Sequence, residues 1–348
     1  MTSRKLSLKG PRRPSPPRHE AAAARGPEVS IVICNHNYEM FLPQAIDSAL
    51  EQTHASVEVV VIDDGSTDAS RALIARYGGR IRPVFKRNGG QPSAINAGFR
   101  ECRGEIVCLL DADDVFAPGK VGRLVEIFAR NPEAGWIFHE LGYVDQDGRE
   151  IPLRAFEDRE HVRAIQRRRR RYGDFAHVDL RETFAAGERL PYVCPALSAL
   201  SFRRRVLEAI LPMPEDIARA GDEFPKFAAL ALFPGIHLGD ALAQQRIHGA
   251  NASTFRDTRV ESAARFLKTA YHLRYRYRHI GASTDKWFAS SFGRLLGAVG
   301  PRETLTSIEA QRYLKDYFGP LTWVRQGPRI AYHAARERLT GRGTPEHR

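Results

Sequence analysis

Four short apolar runs alternate with segments of helical period, and each run closes on polar or acidic residues. They are Val29-Ser-Ile-Val-Ile-Cys34, Val57-Glu-Val-Val-Val-Ile62, residues 81–85, and Glu105-Ile-Val-Cys-Leu-Leu110. Runs of this length, rich in β-branched residues, predict buried strands. Between the first two, Leu42, Ala45, Ile46, Ala49 and Leu50 recur at helical spacing. Ser66, Thr67 and Asp68 offer N-caps for a second helix ending at Tyr77, and a third is predicted near 94–102. Such alternation implies an α/β fold, a mostly parallel sheet flanked by helices. In sheets of this kind ligands bind beyond the carboxyl ends of the strands. Here those ends carry Asn35, His36, Asn37, Asp63, Asp64, Asp111, Asp113 and Asp114.

Past Val121 the pattern loosens. Residues 121–130 read as a helix, and Trp136–Val144 as a strand ending in the turn Asp145-Gln-Asp-Gly148. The charge-rich stretch 150–190 includes five successive arginines, 167–171, open to two readings: a solvated helix face, or a contact with phosphate or lipid. Beyond Thr254 the chain reads as mostly helical. The predicted organisation is a basic tail over 1–27, one domain over 28–255 with halves 28–120 and 121–255, and a helical C-terminal extension over 256–348.

Charge matters chiefly for the tail, which holds a net +6 of the chain's +12. Rich in Pro and Arg, it buries too little surface to fold and is expected to be disordered, either solvated or meeting an anionic surface. No nucleic-acid-binding module accompanies the charge, so no specific nucleic-acid partner is expected. Leu6 and Leu8 are followed by Pro, Arg and Ser rather than an apolar core, which argues against a signal peptide. No apolar run reaches the ~18 residues of a membrane span. Four cysteines without Cys-x-x-Cys spacing fit a reducing compartment. The expectation is a cytoplasmic, soluble protein whose membrane contact, if any, is peripheral. The candidate for that contact is 266–278, where aromatic and basic residues interleave; the alternative is that this helix packs on the preceding domain.

Asp111-Ala-Asp-Asp114 is the sharpest chemical signal. Three carboxylates within four residues repel one another unless a cation or solvent compensates them. Hard oxygens on a strand-end loop suit Mn2+ or Mg2+, which keeps positions open for diphosphate oxygens. The plain alternative is a turn cluster preceding Pro118.

Context adds to this. Val-Ser-Ile-Val-Ile-Cys-Asn-His-Asn-Tyr (29–38), Ala-Ile-Asp-Ser-Ala-Leu-Glu-Gln-Thr (45–53), Val-Val-Val-Ile-Asp-Asp-Gly-Ser-Thr-Asp (59–68), Asn-Gly-Gly-Gln-Pro-Ser-Ala-Ile-Asn-Ala-Gly (88–98) and Leu-Leu-Asp-Ala-Asp-Asp (109–114) follow in order. Together they resemble the nucleotide-sugar-binding half of family 2 glycosyltransferases, which have the GT-A fold. The resemblance continues more loosely through Arg246-Ile-His-Gly-Ala-Asn-Ala-Ser253, about two thirds of the chain in all. It implies a donor half at 28–120 and an acceptor half at 121–255. It also implies transfer from a nucleotide diphosphate-sugar to a glycan, lipid-linked or small-molecule acceptor, in surface glycan or glycoconjugate synthesis.

Carried over by position, the resemblance makes Asp64, and after it Asp63, the acceptor of a hydrogen bond from the nucleotide base. Asn37, beside Asn35, would order the first loop, and His36 stands where the family commonly has an aromatic. Asn96 and Gly98 would lie along the nucleotide. Asp111 would face the ribose or metal, Asp113 would hold the metal, and Asp114 would support or cap. His248 matches a position that approaches the metal or diphosphate in many relatives. Inverting transfer needs a carboxylate that takes the acceptor's proton; Asp222 is the first choice and Glu223 the reserve, although the family's usual Glu-Asp order is absent. Residues 198–203 resemble the acceptor-pocket segment. Two rivals stay open: a nucleotide-sugar-binding protein without turnover, and an Asp-x-Asp phosphohydrolase, whose motif normally lies on the first strand rather than the fourth.

Overall fold

A computed structural model describes residues 28–156, 159–188, 195–217, 221–249 and 259–341. The predicted tail 1–27, the boundary at 255/256 and the Asn251-Ala-Ser253 triplet lie outside these residues.

The predicted strands form at the predicted places. β1 (Val29–Asn35), β2 (Val57–Asp64), β3 (Arg82–Lys86) and β4 (Ile106–Asp111) lie parallel in the order β3-β2-β1-β4. Alternation along them sorts side chains to two faces. Ile31, Ile33, Val59, Val61, Cys108 and Leu110 join one core with α1 (Leu42–Leu50). Val32, Val60, Ile62, Val107 and Leu109 join the other with α3 (Gln91–Glu101). α2 (Ser70–Arg76) links β2 to β3, and the Asp68 carboxylate accepts from the Ser70 amide at its start.

Beyond β4 the sheet becomes mixed. β5 (Val115–Phe116) and α4 (Lys120–Arg130) lead to β6 (Trp136–Val144). After α5 (Arg159–Tyr172), β7 (Phe175–Val178) and α6 (Arg181–Ala186), β8 (Leu200–Arg203) inserts antiparallel between β4 and β6. α7 (Arg204–Ile210) and α8 (Glu223–Leu232) precede the long β9 (Gly235–Arg246). β9 runs parallel to β6 and carries β5 and β7 antiparallel to it. The expected parallel order thus holds for the first four strands and gives way where chain segments return through the sheet from the opposite end. The return of β9 matters most, because its last residue, Arg246, arrives beside Asp113 and Asp114.

The helical extension is present: α9 (Arg259–Arg276), α10 (Gly281–Ala298), α11 (Gly300–Thr304), α12 (Ile308–Tyr317) and α13 (Pro320–Gly341). A third core holds it together, with Phe288 stacked on Tyr313 at 4.0 Å between ring centroids.

Both charge-rich stretches resolve differently from their functional readings. Leu267, Ala270 and Leu273 are buried, Lys268 donates to the Asp216 carbonyl, and Arg276 donates to the Ile210 and Pro212 carbonyls while lying over the Phe224 ring. Through Leu273 the 266–278 stretch thus packs on the preceding domain, the plain alternative given for it, while Tyr275 stays exposed. In the arginine run, Arg168 is buried and forks onto Glu140 at 2.6 and 2.7 Å, with Arg169 adding a third bond. A buried carboxylate this well paired ties α5 to β6, while Arg167, Arg170 and Arg171 stay in solvent. Among the described residues, no helix is long and apolar enough to cross a membrane.

Candidate functional site

The first two loops are laced to each other. Asn37 adopts φ 58°, a left-handed conformation that Asn tolerates, and its Oδ1 accepts from the Thr67 amide at 2.7 Å. Its own amide donates to Ser66 Oγ, which also accepts from Asn35 Nδ2. Asp63 is fully buried, and its oxygens accept from Asn35, the Ser66 amide and Arg71. It is thus a loop organiser and not a group turned to a ligand. Asp64 accepts from Lys86 and from the Gly89 amide at 3.0 Å, fastening the β2 end to the loop before α3. His36 meets Asn88 at 3.0 Å over the same loop, where its ring remains partly exposed.

Two expected nucleotide residues belong to the core. Asn96 donates to the Met213 carbonyl and Glu215 and accepts from the Met213 amide, tying α3 to the segment before α8. Gly98 faces the sheet: a Cβ there would sit 2.5 Å from Val32 Cγ1 and 2.7 Å from Ile62 Cδ1. The missing side chain permits close packing of helix on strand. Gly98→Ala is accordingly expected to cost about 1–3 kcal/mol of stability, the usual range for overpacking. Thermal denaturation checks this, with nucleotide affinity of the folded variant near that of wild type.

At the end of β4 the acidic triplet turns tightly, the Asp114 amide donating to the Asp111 carbonyl. One ligand oxygen from each of Asp111, Asp113 and Asp114 lies within 4.8 Å of the others. Burial, followed by repulsion from Asp113, raises the pKa of both Asp111 and Asp114 well above the ordinary carboxylate range. Such a cluster favours a cation, and its hard oxygens suit Mg2+ or Mn2+. The three acids are not equivalent. Asp114 is committed to the protein, accepting from Ser198 Oγ at 2.6 Å and the Arg246 amide at 2.8 Å. Asp113 meets His248 Nε2 at 3.1 Å, and the imidazole lies 4.5 Å from the Phe41 ring. Asp111 accepts from Gln91 Nε2 at 2.8 Å. Asp111 and Asp113 are thus the pair best placed to hold an ion, with His248 beside them.

Sequence reasoning gave no role to Gln91, Arg246 and Lys120, and it set Ser198 in an acceptor-pocket segment, whereas its hydroxyl donates to Asp114. Arg246 donates to the Asp113, Asp145 and Gln146 carbonyls and to Gln44, closing the back of the triplet. Lys120 is buried, donates to the Ser198 carbonyl at 2.7 Å and lies over the Phe116 ring; burial pulls its pKa down to about 7. Gln91 joins the two halves. Its Oε1 accepts from the Gly221 amide at 2.8 Å while its Nε2 holds Asp111. Gly221 abuts the chain closely there, since a Cβ would lie 2.8 Å from the Pro92 nitrogen. Only the placement of Gln91 inside an otherwise glycine-rich loop hinted at it.

Asp222 follows directly, so the predicted base segment is brought to the acidic cluster. Asp222 Oδ2 accepts from Lys226 at 2.6 Å, and the Asp222 charge contributes to the raised pKa of Asp111. Glu223 turns toward α9, where Arg265 reaches its Oε1 at 3.3 Å. Its Oε2 is buried without a hydrogen-bond partner, and burial pushes its pKa up to about 7. Gln91→Ala should loosen this junction. Outer contacts to a ligand carboxylate typically carry about 10–100-fold in metal affinity or activity. A loss of that size in Mn2+ affinity and turnover, with the melting temperature near wild type, is the expected result.

The mixed sheet and the acidic triplet at the β4 end, with a helical region after residue 260, define a GT-A type protein. The chain belongs to glycosyl transferase family 2, whose model matches residues 30–191. An uncharacterized glycosyltransferase of Nostoc sp. is 36% identical over 229 residues, 64% of this chain and 66% of the relative. The succinoglycan biosynthesis protein ExoO of Rhizobium meliloti is 38% identical over 144 residues, 40% of each chain. The chain thus spans just under two thirds of the relative's length in one case and well under half in the other. S. aureus TarS 1–349, solved in complex with UDP, shares the fold at a TM-score of 0.57 and 16% identity, covering 92% of this chain and 93% of that one.

Proposed function

We propose that this chain is an inverting, metal-dependent glycosyltransferase that moves a sugar from a nucleotide diphosphate-sugar to an acceptor hydroxyl, in surface glycan or glycoconjugate synthesis. The observation that carries the reading is the junction in which Gln91 holds Asp111 of the triplet beside the Gly221–Asp222 segment. On this reading an ion-binding pair and a carboxylate base would meet at the strand ends.

Asp111 and Asp113 would hold Mn2+ or Mg2+. When bound, the ion offsets negative charge on the departing diphosphate. Asp64 and the exposed edge of His36 flank the place for the nucleotide base. Asp222 takes the proton of the acceptor hydroxyl. The acceptor oxygen forms its bond to the anomeric carbon from the face opposite the leaving group, and the diphosphate departs with the electron pair of the broken C–O bond. Configuration at that carbon inverts. Lys226, bonded to Asp222, fixes the orientation of the carboxylate.

TarS is described in complex with UDP and with UDP-GlcNAc, and ExoO as a succinoglycan biosynthesis protein. Those properties are theirs; they indicate which donors and acceptors to try first. A panel of UDP-, GDP- and dTDP-sugars, read by metal-dependent hydrolysis and thermal shift, tests the proposal. Stabilisation and slow hydrolysis with one donor class support it. Nucleotide affinity without any turnover would assign a binding protein instead, and phosphate release from simple monoesters a phosphohydrolase.

A further inference from the structure

α13 carries an apolar stripe on its outer side. Leu321, Val324, Pro328, Tyr332, Ala335 and Leu339 are all exposed and follow one another at intervals of three or four residues, so they line one helix face. Leu321, Val324 and Leu339 are 74%, 75% and 79% exposed. The inner side is already seated. Gln326 and Ile330 are buried, and α10 presents Gly293 and Gly297, whose Cβ atoms would meet the Ile330 and Ala334 carbonyl oxygens at 2.5 Å. The helix is therefore held by its opposite face, and the outer stripe adds nothing to the core. Arg325, Arg329, Arg336 and Arg338 border the stripe, against Glu337 as the one acidic residue of the helix.

We propose that the outer face of α13 docks on an anionic lipid bilayer. A helix of 22 residues is roughly 33 Å long, enough to lie in the plane of the headgroups with its apolar stripe at the acyl boundary. The bordering arginines then meet lipid phosphates, a complement in charge. A second copy of this chain is the poorer occupant: a two-fold contact through the same face would oppose arginine to arginine. The surface is distinct from the 266–278 stretch, whose Leu267, Ala270 and Leu273 face inward. It is also independent of the glycosyl-transfer reading, because binding and not turnover is measured.

The test is co-sedimentation of the full chain with vesicles of phosphatidylcholine alone, or mixed with phosphatidylglycerol, at low and high salt. Wild type is expected to bind the anionic vesicles and to be released by salt. Leu321→Asp/Val324→Asp should weaken that binding by about ten-fold or more through loss of buried apolar surface. Arg325→Glu/Arg338→Glu should weaken it by about ten-fold or more through loss of two headgroup contacts. Both keep the basic tail, so the tail cannot account for a difference. The sites are exposed, so melting temperatures should stay near wild type; if the aspartate variant misfolds, the glutamate variant decides. Undiminished binding by a folded variant overturns the proposal, as does a failure of wild type to bind. A concentration-dependent dimer that Leu321→Asp/Val324→Asp dissolves, without vesicle binding, overturns it in favour of self-association.

Discussion

Asp113→Ala is expected to lower sugar transfer by about 10³-fold or more, since an ion at a developing negative charge contributes several kcal/mol. Metal-dependent nucleotide affinity should fall with it. The reason is the arrangement at the β4 end. Asp114 is already held by Ser198 and the Arg246 amide, so the triplet has only Asp111 and Asp113 to offer an ion, and Asp113 is braced by His248. The fold should survive, because the Arg246 side chain holds the Asp113 carbonyl, a bond that the substitution keeps. Isothermal titration with Mn2+ and a nucleotide, beside turnover and a thermal melt, measures all three. Full activity of the variant, or of wild type with excess chelator, would sink the metal assignment.

Asp222→Asn is the second large effect. Loss of a general base lowers the rate by about 10²–10⁴-fold. Donor affinity should be nearly unchanged, because the role proposed for Asp222 is to take the acceptor's proton. Glu223 provides the competing outcome, and pH separates the two. Burial pushes its pKa up to about 7, so its charged form is disfavoured in the fold. Its stabilising contribution is then fully present below the ordinary carboxylate range and is lost as pH rises through about 7. Wild type should therefore lose melting temperature relative to Glu223→Gln over that window. If Glu223 were the base, kcat/KM would rise with pH through about 7 and the limb would vanish in Glu223→Gln. An unchanged rate in Asp222→Asn, together with that limb, would move the role to Glu223. If donor affinity collapsed instead, Asp222 would belong to the donor site.

Much of the first half of the domain was legible in the chain, and particular residues show why. Ile31 and Ile33 face one core while Val32 faces the other, so the runs had to be continuously apolar, the mark of strands covered on both faces. Asp111, Asp113 and Asp114 follow such a run directly, and local chain geometry alone gathers them. Asn37 takes a left-handed turn that its own type tolerates, but the Thr67 amide its side chain holds lies 30 positions away. Asn96 and Gly98 misled because their motif says that they are needed and not which way they face. One faces Met213 and the other faces Val32, and both directions are set by how α3 lies on the sheet.

For the arginine run and the 266–278 stretch the sequence left two readings open, and in both cases the choice depended on what the rest of the chain covers. Composition cannot tell a solvated arginine from Arg168, which is buried on a glutamate 28 positions away. Nor does an interleaved aromatic and basic pattern reveal which side of its helix is already covered.

By itself the sequence determined what depends on neighbours along the chain: strand and helix period, the loop that places three carboxylates together, and the family pattern in the first half. The tertiary structure alone decided what depends on distant segments meeting. It brought Arg246 at the end of β9, and His248 just past it, back to brace the triplet, used Gln91 to join Asp111 to the Gly221–Asp222 segment, and left the outer face of α13 exposed. A hydrogen bond across 130 residues carries no local signature, because the entropy of closing so long a loop is offset by packing of the whole sheet and not by any motif near either end.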